Sequence, residues 1–266
     1  LVEGLLGALS LAAADRDISV RALLGKADLL IHATTIATNA VLTEQTARTA
    51  FITTAGHPDI LVLREGGRMG IPTFDYSIPY PEPYVPRALT FEAPERIAAD
   101  GQIITPLDEG AVAEIIESLR KNDIQALGVC LLWSVVNPVH ELRIGELVRE
   151  NWPDLAVTLS HQVNASMREY RRASSTCIDA SLKPLMSAYL NRMEARLSEE
   201  GFRGQLLVVT SQGGVMEAST CLSASCSSRM SSSTKTFASG YLRIQAASAS
   251  SSSISRQSTS LTRARA

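Results

Sequence analysis

The stretch "PLDEGAVAEIIESLRKNDIQALGVCLLWSVVNPVHELRIGELVREN", residues 106–151, decides the fold class. Its centre, "QALGVCLLW" (125–133), is a continuous apolar run, which is typical of a parallel strand buried on both faces. Before it, apolar residues at helical spacing follow Asp108, which is placed to cap a helix. After it, Pro138 stands in the first turn of a second predicted helix. A helix, a buried strand and another helix in succession predict an α/β fold with a parallel sheet.

The same alternation continues on both sides of this stretch. Strands are predicted in four further segments: "ADLLIHA" (27–33), "RTAFITTAG" (48–56), "LAVTLSH" (155–161) and "QLLVVTSQGGVM" (205–216). The first of these is predicted to be short and buried. The segment "ALTFEAPERIAADGQII" (88–104) is typical of a hairpin with Asp100-Gly101 at its turn. A long helical stretch occupies 166–202, and Pro184 favours a break within it.

Composition excludes several function classes. The chain has 266 residues, of which 45% are hydrophobic and 20% charged, enough for one large or two modest domains. Its net charge of −2 and the lack of a long apolar stretch predict no nucleic-acid and no membrane partner. The four cysteines form no CxxC pair, and Cys130 is most simply a buried thiol, so we expect a reducing, cytoplasmic compartment.

The composition and the hydrophobic pattern of the sequence change twice along the chain, which predicts three regions. These are an N-terminal domain (1–164), the beginning of a central domain (165–217) and a low-complexity tail (218–266). The tail is serine-rich and contains no Asp or Glu, so it cannot bury a core and is expected to be disordered. It is either a natural basic tail or a shifted reading frame or cloning scar, and its abrupt start favours the second interpretation.

The first candidate site is "HATTIATNA" (32–40), where a strand gives way to a helix. Threonines at a helix start place hydroxyls and free backbone N–H groups at the positive end of the dipole, which suits an anion. The simpler interpretation is an ordinary cap by Thr34 or Thr35, with Thr38 packed against the preceding turn. His32 could be a base or a hydrogen-bond partner for a substrate, although a lone histidine is more often structural.

Two further segments combine glycine with polar residues. In "TSQGGV" (210–215), two glycines after a strand allow a ligand to approach the backbone, and a plain turn is the alternative. In "REGGR" (64–68), charged side chains beside flexible glycines could clamp an anionic substrate, and a solvated loop is the alternative. The charge run "REYRR" (168–172) is typical of a solvated helix face. The sequence contains no Cys/His cluster of the metal-binding kind, so we predict no metal ligands in it.

Five blocks of the sequence occur in an order that resembles the hydantoinase A/5-oxoprolinase family, which also includes the acetone carboxylase β subunit. The resemblance covers nearly all of residues 1–217. The blocks are "HATTIATNAVLTEQTARTAFITTAGHPDIL" (32–61), "YPEPYVPRALTFEAPERIAADGQIITPLDE" (80–109), "ALGVCLLWSVVNPVHELRIGELVRE" (126–150), "MREYRRASSTCIDASLKPLMSAYLNRME" (167–194) and "LLVVTSQGGVM" (206–216).

The resemblance implies a ribonuclease-H-like fold of the actin and sugar-kinase type, with ATP and Mg²⁺ as cofactors. It implies an ATP-dependent cyclic amidohydrolase that opens a hydantoin or a 5-oxoproline-type lactam through a phosphorylated intermediate. It also implies a hydantoinase B-type subunit or domain as partner. Two alternatives stay open: an ATP-dependent ketone carboxylase subunit of the acetone or acetophenone type, and a catalytically inactive subunit that binds a partner.

The resemblance also assigns roles to residues by their position in the blocks. The catalytic candidates are His32, Thr35 and Asn39. Thr34 and Thr38 would line the nucleotide side of the cleft, and Arg64 and Glu65 would contact the substrate. The opposite wall of the cleft would consist of Ser211, Gln212, Gly213 and Gly214. The sequence departs from the family pattern at three positions: Ala33 stands for Gly, Gln212 for Asn, and Asp179 for Asn.

The family's N-terminal phosphate hairpin, an Asp-Ile-Gly-Gly-Thr-Phe-Thr-Asp type of segment, is expected upstream of Leu1 and does not occur in the printed sequence. Because a complete ATP site requires it, we expect the purified 266-residue chain to hydrolyse no ATP, with or without hydantoin or 5-oxoproline. The measurement is release of inorganic phosphate from ATP. Substrate-stimulated turnover by this chain alone would contradict the expectation.

Overall fold

The computed structural model describes residues 2–64, 77, 82–209 and 214–219. The predicted disorder of the tail beyond Ser219 lies outside the described residues. In chain order the elements are α1 (Val2–Ala14), α2 (Val20–Leu24), β1 (Leu29–His32), α3 (Ile36–Leu42), β2 (Thr49–Thr54), α4 (Ile60–Leu63), a 3₁₀ turn (Arg87–Leu89), β3 (Thr90–Ala93), β4 (Arg96–Ile97), β5 (Ile103–Thr105), α5 (Glu109–Lys121), β6 (Ala126–Cys130), α6 (Val139–Asn151), β7 (Ala156–Leu159), α7 (Ser160–Val163), α8 (Glu169–Glu199), β8 (Gln205–Val209) and β9 (Val215–Glu217).

A four-stranded parallel sheet lies in the largest of the hydrophobic cores among the described residues. Its strand order is β3-β2-β6-β7, and every residue of β2 and of β6 is buried. Helix α8 packs on β6, β7 and β2, while α5 contacts β3 and α6 contacts β7. The prediction of an α/β fold with a parallel sheet is therefore confirmed, and the apolar run at 125–133 supplies its central strand β6.

The capping and turn predictions around this sheet also hold. The backbone N–H of Ala111 donates to Asp108 Oδ1 at 3.0 Å, so Asp108 caps α5 as expected. Pro138 immediately precedes α6. The antiparallel pair β4 and β5 closes at Gly101, whose φ of 87° is accessible mainly to glycine.

The predicted hairpin at 88–104 was too long at its N-terminal end. Residues Thr90–Ala93 form β3, which pairs in parallel with β2 and belongs to the main sheet. Pro94 follows directly, and because proline cannot donate to a strand ladder it separates β3 from the short hairpin. Only the β4–β5 part of the segment is a hairpin.

A second, three-stranded sheet has the order β1-β8-β9, with β1 parallel and β9 antiparallel to β8. The prediction that β1 is a buried strand was wrong, because Leu29 and Ile31 are exposed and only the alternate residues are partly covered. The physical reason is its position: among the described residues β1 has one neighbour, β8, and a single face of this sheet packs on the second core.

Helix α8 connects the two cores. Near its N-terminus, Ala173 and Cys177 pack against the four-stranded sheet, while Tyr189 and Leu190 lie in the core beneath β8. The break that Pro184 favours does not occur, because α8 is continuous over 31 residues. An internal proline costs about 3 kcal/mol, so packing of both halves outweighs the lost hydrogen bond. In the described part of the chain, no helix has the length and apolarity needed to cross a bilayer.

Gly204 is the residue on which the approach of β8 to β1 depends. A Cβ atom at this position would lie 2.4 Å from the carbonyl oxygen of Asp28, and that oxygen belongs to backbone that cannot yield cheaply. We therefore expect Gly204→Ala to lower the free energy of unfolding by about 1–3 kcal/mol, measured by urea denaturation.

The matched control for this substitution is Gly7→Ala. A Cβ atom at Gly7, on α1, would meet nothing within 4 Å. Since alanine is the better helix former, we expect this control to stabilise the chain by about 0.5–1 kcal/mol. Equal urea midpoints for Gly204→Ala and the unaltered chain would show that the two strands are not packed this closely.

Candidate functional site

Each of the two sheets has an edge where its parallel strands end, and α/β proteins bind ligands at such carboxyl edges. In the four-stranded sheet the strands end at Thr54, Ala93, Cys130 and Leu159. In the three-stranded sheet β1 ends at His32 and β8 at Val209. The polar side chains at the two edges decide which of them is open to a ligand.

At the larger sheet, the first polar group is built around Glu95, which is buried. The Thr54 hydroxyl donates to its carboxylate, and the same hydroxyl accepts the backbone N–H of Leu132 at 3.0 Å. His140 Nδ1 lies 2.7 Å from the other carboxylate oxygen. This arrangement ties the ends of β2 and β6 to the beginning of α6.

The second polar group is built around Glu141, which has no exposed surface. Its Oε1 accepts the backbone N–H of Leu131 at 2.9 Å and the Ser160 hydroxyl at 2.5 Å. Its Oε2 lies 2.6 Å from His161 Nδ1 and accepts the backbone N–H of His161 at 3.1 Å. Burial by itself raises the pKa of Glu141, but the hydrogen bonds from His161, Ser160 and Leu131 outweigh it and hold the pKa below its usual range.

Arg172 completes this cluster from α8. It is fully buried, and its Nε donates to Ser160 Oγ at 3.1 Å. Its two terminal nitrogens donate to the carbonyl oxygens of Ser166 and Leu131, each at 2.7 Å. We call Thr54, Glu95, His140, Glu141, Ser160, His161 and Arg172 the buried polar network. Because its members satisfy one another inside the protein, we interpret it as a structural seal on this edge.

Arg172 corrects the interpretation of "REYRR" as a solvated face. Arg171 is exposed, but Arg172, one residue on, has no accessible surface. Glu95, His140 and Glu141 were not among the predicted site residues. The sequence feature that could have identified His140 and Glu141 is the segment Asn137–Glu141, where two titratable residues follow a proline at a helix start.

The smaller sheet presents a different edge. His32 lies opposite Val208 in the parallel β1–β8 pair, so the carboxyl ends of the two strands lie side by side. His32 is half-buried, and its Nε2 lies 2.8 Å from the hydroxyl of Tyr189 on α8. Burial lowers the pKa of His32. Tyr189 was not among the predicted site residues.

The threonine segment begins directly after β1 and leads into α3, which has seven residues. This helix ends at Leu42, so a strong helix-dipole contribution is not available from it. Neither predicted cap is formed in the usual way: Thr35 stands at the N-cap without a capping bond, and Thr34 Oγ1 accepts the N–H of Ile36 at 3.3 Å. The hydroxyl of Thr35 is thus left for another partner.

Packing of α3 on α8 decides which of these side chains face outward. Ala40 and Val41 are buried against Ile178 and Leu182 of α8. Thr35 and Asn39 are exposed, while Thr34 and Thr38 are half-buried. The structure therefore brings five predicted site residues together beside the end of β1: His32, Thr34, Thr35, Thr38 and Asn39.

The structure describes only some of the remaining predicted site residues. Gly214 is exposed and directly precedes β9, whereas Ser211, Gln212, Gly213 and Glu65 lie outside the described residues. Arg64 follows α4, on the segment after β2 in the other sheet, and donates to the carbonyl oxygen of Glu82 at 3.4 Å. Within the described residues, no three His, Cys, Asp or Glu side chains are grouped as a metal would require.

Two other features are poor candidates for a site. An open cleft of about 480 Å³, with Thr46, Gln125 and Trp152 in its wall, lies at the amino ends of β2 and β6, away from the edge where α/β sheets bind ligands. Cys130 is a buried free thiol, as predicted, and burial raises its pKa to about 11, so it is a poor nucleophile.

Parallel sheets with an open, hydroxyl-rich strand edge define an α/β protein of the kind that binds small molecules at strand ends. Comparison with known families makes this specific. Residues 1–152 match the hydantoinase/oxoprolinase N-terminal region, and residues 172–238 match hydantoinase/oxoprolinase. The chain belongs to the hydantoinase/oxoprolinase family, which confirms the resemblance. The second match continues beyond residue 217, where we expected the resemblance to stop.

Two relatives and one solved structure define the similarity further. The chain is 36% identical over 188 residues to caprolactamase subunit alpha of Pseudomonas jessenii, covering 71% of this chain and 27% of that protein. It is 31% identical over 208 residues to the acetophenone carboxylase gamma subunit of Aromatoleum aromaticum, covering 74% and 28%. The crystal structure of ATP-dependent caprolactamase from Pseudomonas jessenii matches with a TM-score of 0.72 and 32% identity, covering 82% of this chain and 33% of that one. The chain thus spans less than a third of the length of these relatives.

Replacing the buried carboxylate tests the structural role of the network. We expect Glu141→Gln to lower the free energy of unfolding by about 3–5 kcal/mol, because the buried groups that now bond the negative charge would lose it. The folded pKa of Glu141 is depressed, so its contribution is present above the unfolded pKa of about 4.3 and is lost as pH falls through the folded pKa. Urea denaturation of the unaltered chain between pH 7 and pH 3 should show this loss of stability. In Glu141→Gln, the part of the pH dependence that comes from Glu141 should be absent.

Glu109→Gln is the matched control. Glu109 pairs with Arg143 at 2.8 Å on the surface, where solvent screens the interaction, so we expect its urea midpoint to stay close to that of the unaltered chain. Equal effects of the two substitutions would show that Glu141 is not buried in a network of the kind described.

Proposed function

We propose that this chain works in an ATP-dependent hydrolase of cyclic amides, which opens a hydantoin or a 5-oxoproline-type lactam through a phosphorylated intermediate. The observation that carries the proposal is the 36% identity to caprolactamase subunit alpha over 71% of the chain, together with the match to the ATP-dependent caprolactamase structure. The family match over residues 1–152 includes the histidine and threonines at the end of β1, which supply groups suited to phosphate and amide oxygens.

The chemistry gives these groups a clear task. An unstrained amide resists attack by water because its nitrogen donates electrons to the carbonyl carbon. Transfer of the γ-phosphoryl group of ATP to the carbonyl oxygen, with ADP as leaving group, withdraws those electrons and makes the carbon electrophilic. One water then adds to that carbon, and the C–N bond breaks as the nitrogen takes up a proton, which leaves an acyl phosphate. A second water hydrolyses the acyl phosphate to the carboxylate and inorganic phosphate. Negative charge develops on oxygen in these steps, and positioned hydrogen-bond donors stabilise it.

We assign the donors by their accessibility. Thr35 and Asn39 are exposed, so their hydroxyl and amide can reach a substrate, and with His32 they form the catalytic group of the proposal. Thr34 and Thr38 are half-buried behind them and are assigned to the nucleotide. On the β8 side, the proposed nucleotide contacts are Ser211, Gln212, Gly213 and Gly214. Arg64 and Glu65 stay proposed substrate contacts, as members of the segment that follows α4.

The pairing of β1 with β8 supports a cleft formed by two regions of the chain. It joins a strand from the proposed domain 1–164 to one from the proposed domain 165–217. We propose that the two sheets belong to a ribonuclease-H-like fold of the actin and sugar-kinase type. Mg²⁺ accompanies ATP in such chemistry and is held by phosphate oxygens and carboxylates. We assign no protein ligand for it, because within the described residues no three His, Cys, Asp or Glu side chains are grouped as a metal site requires.

A ketone carboxylase is the second candidate function, and the 31% identity to the acetophenone carboxylase gamma subunit supports it. The same phosphorylation logic would apply to bicarbonate or to an enolised ketone. Both relatives are named as subunits, which supports a partner for this chain, and we propose a hydantoinase B-type subunit or domain. ATP turnover that requires both a ketone and bicarbonate would replace the hydrolase proposal with this one.

The test uses the chain within a protein as long as its relatives, together with its partner subunit. We expect ATP hydrolysis to depend on a cyclic amide, with hydantoin, 5-oxoproline and caprolactam as the substrates tried. Thr35→Val removes one donor at nearly constant shape, so kcat for amide-dependent ATP hydrolysis should fall about 10²-fold. The measurement is phosphate release together with chromatography of the ring-opened product.

Thr105→Val is the control, since Thr105 is an equally exposed threonine in the distant hairpin strand β5. We expect it to leave kcat unchanged. Full activity of the Thr35→Val variant would show that Thr35 does not act in the site. The absence of amide-dependent ATP turnover in the complete protein would contradict the hydrolase proposal.

A further inference from the structure

Tyr189 makes the contact that decides how His32 can act. Its hydroxyl lies 2.8 Å from His32 Nε2, and the two rings are inclined at 42° with centroids 6.0 Å apart. The Tyr189 side chain is 8% exposed and packs in the core with Leu190 and Met193 of the same helix. Because this core fixes the ring, the hydroxyl is held at the end of β1.

The chemistry of the two groups indicates which atom donates. A phenol O–H is a stronger hydrogen-bond donor than a neutral imidazole N–H, and a bare imidazole nitrogen is a stronger acceptor than a phenol oxygen, whose lone pair is shared with the ring. Burial raises the pKa of Tyr189, so the phenol is protonated at neutral pH. The favoured bond therefore runs from the Tyr189 hydroxyl to His32 Nε2.

A neutral imidazole has one N–H donor and one bare nitrogen acceptor, and the partner of one nitrogen fixes the state of the other. Burial favours the neutral form of His32. When Tyr189 donates to Nε2, the imidazole proton must reside on Nδ1.

We propose that Tyr189 is a positioning residue that holds His32 in the Nδ1–H tautomer, so that His32 offers a ligand a hydrogen-bond donor and not a base. The tautomer follows from the 2.8 Å contact and from the greater donor strength of the phenol. Its consequence rests on the proposed function: the Nδ1–H would donate to the amide or phosphoryl oxygen on which charge develops. Water attack would then need a base other than His32.

The test reads the tautomer directly in the full 266-residue chain. Histidine labelled with ¹⁵N gives separate signals for protonated and bare ring nitrogens in long-range ¹H–¹⁵N spectra, and loss of one set in His32→Gln assigns that residue among the four histidines. We expect His32 to be Nδ1–H in the unaltered chain. In Tyr189→Phe, which keeps the ring in the core, we expect a shift toward Nε2–H, the tautomer that a free histidine side chain favours.

Tyr84→Phe is the matched control, because the Tyr84 hydroxyl bonds Ser181 at 2.6 Å and not His32. It should leave the His32 signals in place. If Tyr189→Phe does not fold, the spectrum of the unaltered chain still decides the question, because the inference requires a proton on Nδ1 of His32 and none on Nε2. Circular dichroism checks the fold of each variant.

An Nε2–H tautomer in the unaltered chain overturns the inference, and so does a folded Tyr189→Phe whose His32 signals do not change. The spectra need no substrate, so the result is independent of the proposed reaction. If the tautomer is as expected and the complete protein shows no amide-dependent ATP turnover, the proposed function fails and the role of Tyr189 in positioning His32 stands.

Discussion

The buried guanidinium of Arg172 is the interaction on which the rest of the structure depends. It takes a full charge out of water, which costs several kcal/mol unless geometry and hydrogen bonds compensate. Compensation comes from Ser160 and from two backbone carbonyls at the carboxyl edge of the four-stranded sheet. The N-terminal half of α8 is therefore fixed to that edge. Because the helix continues without a break, 17 further residues carry it roughly 25 Å to Tyr189 beneath the second sheet.

This geometry gives the two sheet edges different roles. At the four-stranded sheet, the buried polar network uses carboxylates, imidazoles and hydroxyls to satisfy one another, and it closes the edge where a ligand would be expected. At the three-stranded sheet, α8 supplies Tyr189 to the end of β1 and a packing surface to α3, which turns Thr35 and Asn39 outward. The same helix thus seals one edge and organises the other.

Much of the local structure could be predicted from sequence because its causes are local. Asp108 caps α5 because its side chain reaches a backbone N–H three residues away, and β6 is recognisable because burial on both faces demands a continuous apolar run. The error at β3 had a local cause too, since the prediction gave too little weight to Pro94 as a strand end. The error at β1 did not, because its exposure depends on which strand lies beside it and not on its own composition.

The missed residues at the site have a common physical origin. Tyr189 meets His32 across 157 positions of sequence, and no spacing rule connects them. Arg172 looked like part of a solvated charge run because periodicity cannot tell which member of "REYRR" faces the sheet. The family resemblance supplied the threonine segment as a site, but only the packing of α3 on α8 shows which of its side chains are accessible.

The central claim is that the ligand edge is the one between β1 and β8. Hydrogen–deuterium exchange of the protein at its relatives' full length, with and without a non-hydrolysable ATP analogue and a cyclic amide, tests it most directly. We expect slower exchange in peptides covering residues 32–42 and 205–209, with exchange in the buried polar network unchanged. Slower exchange confined to residues 131–141 and 160–172 would contradict it, because ligands would then bind at the edge that we interpret as sealed.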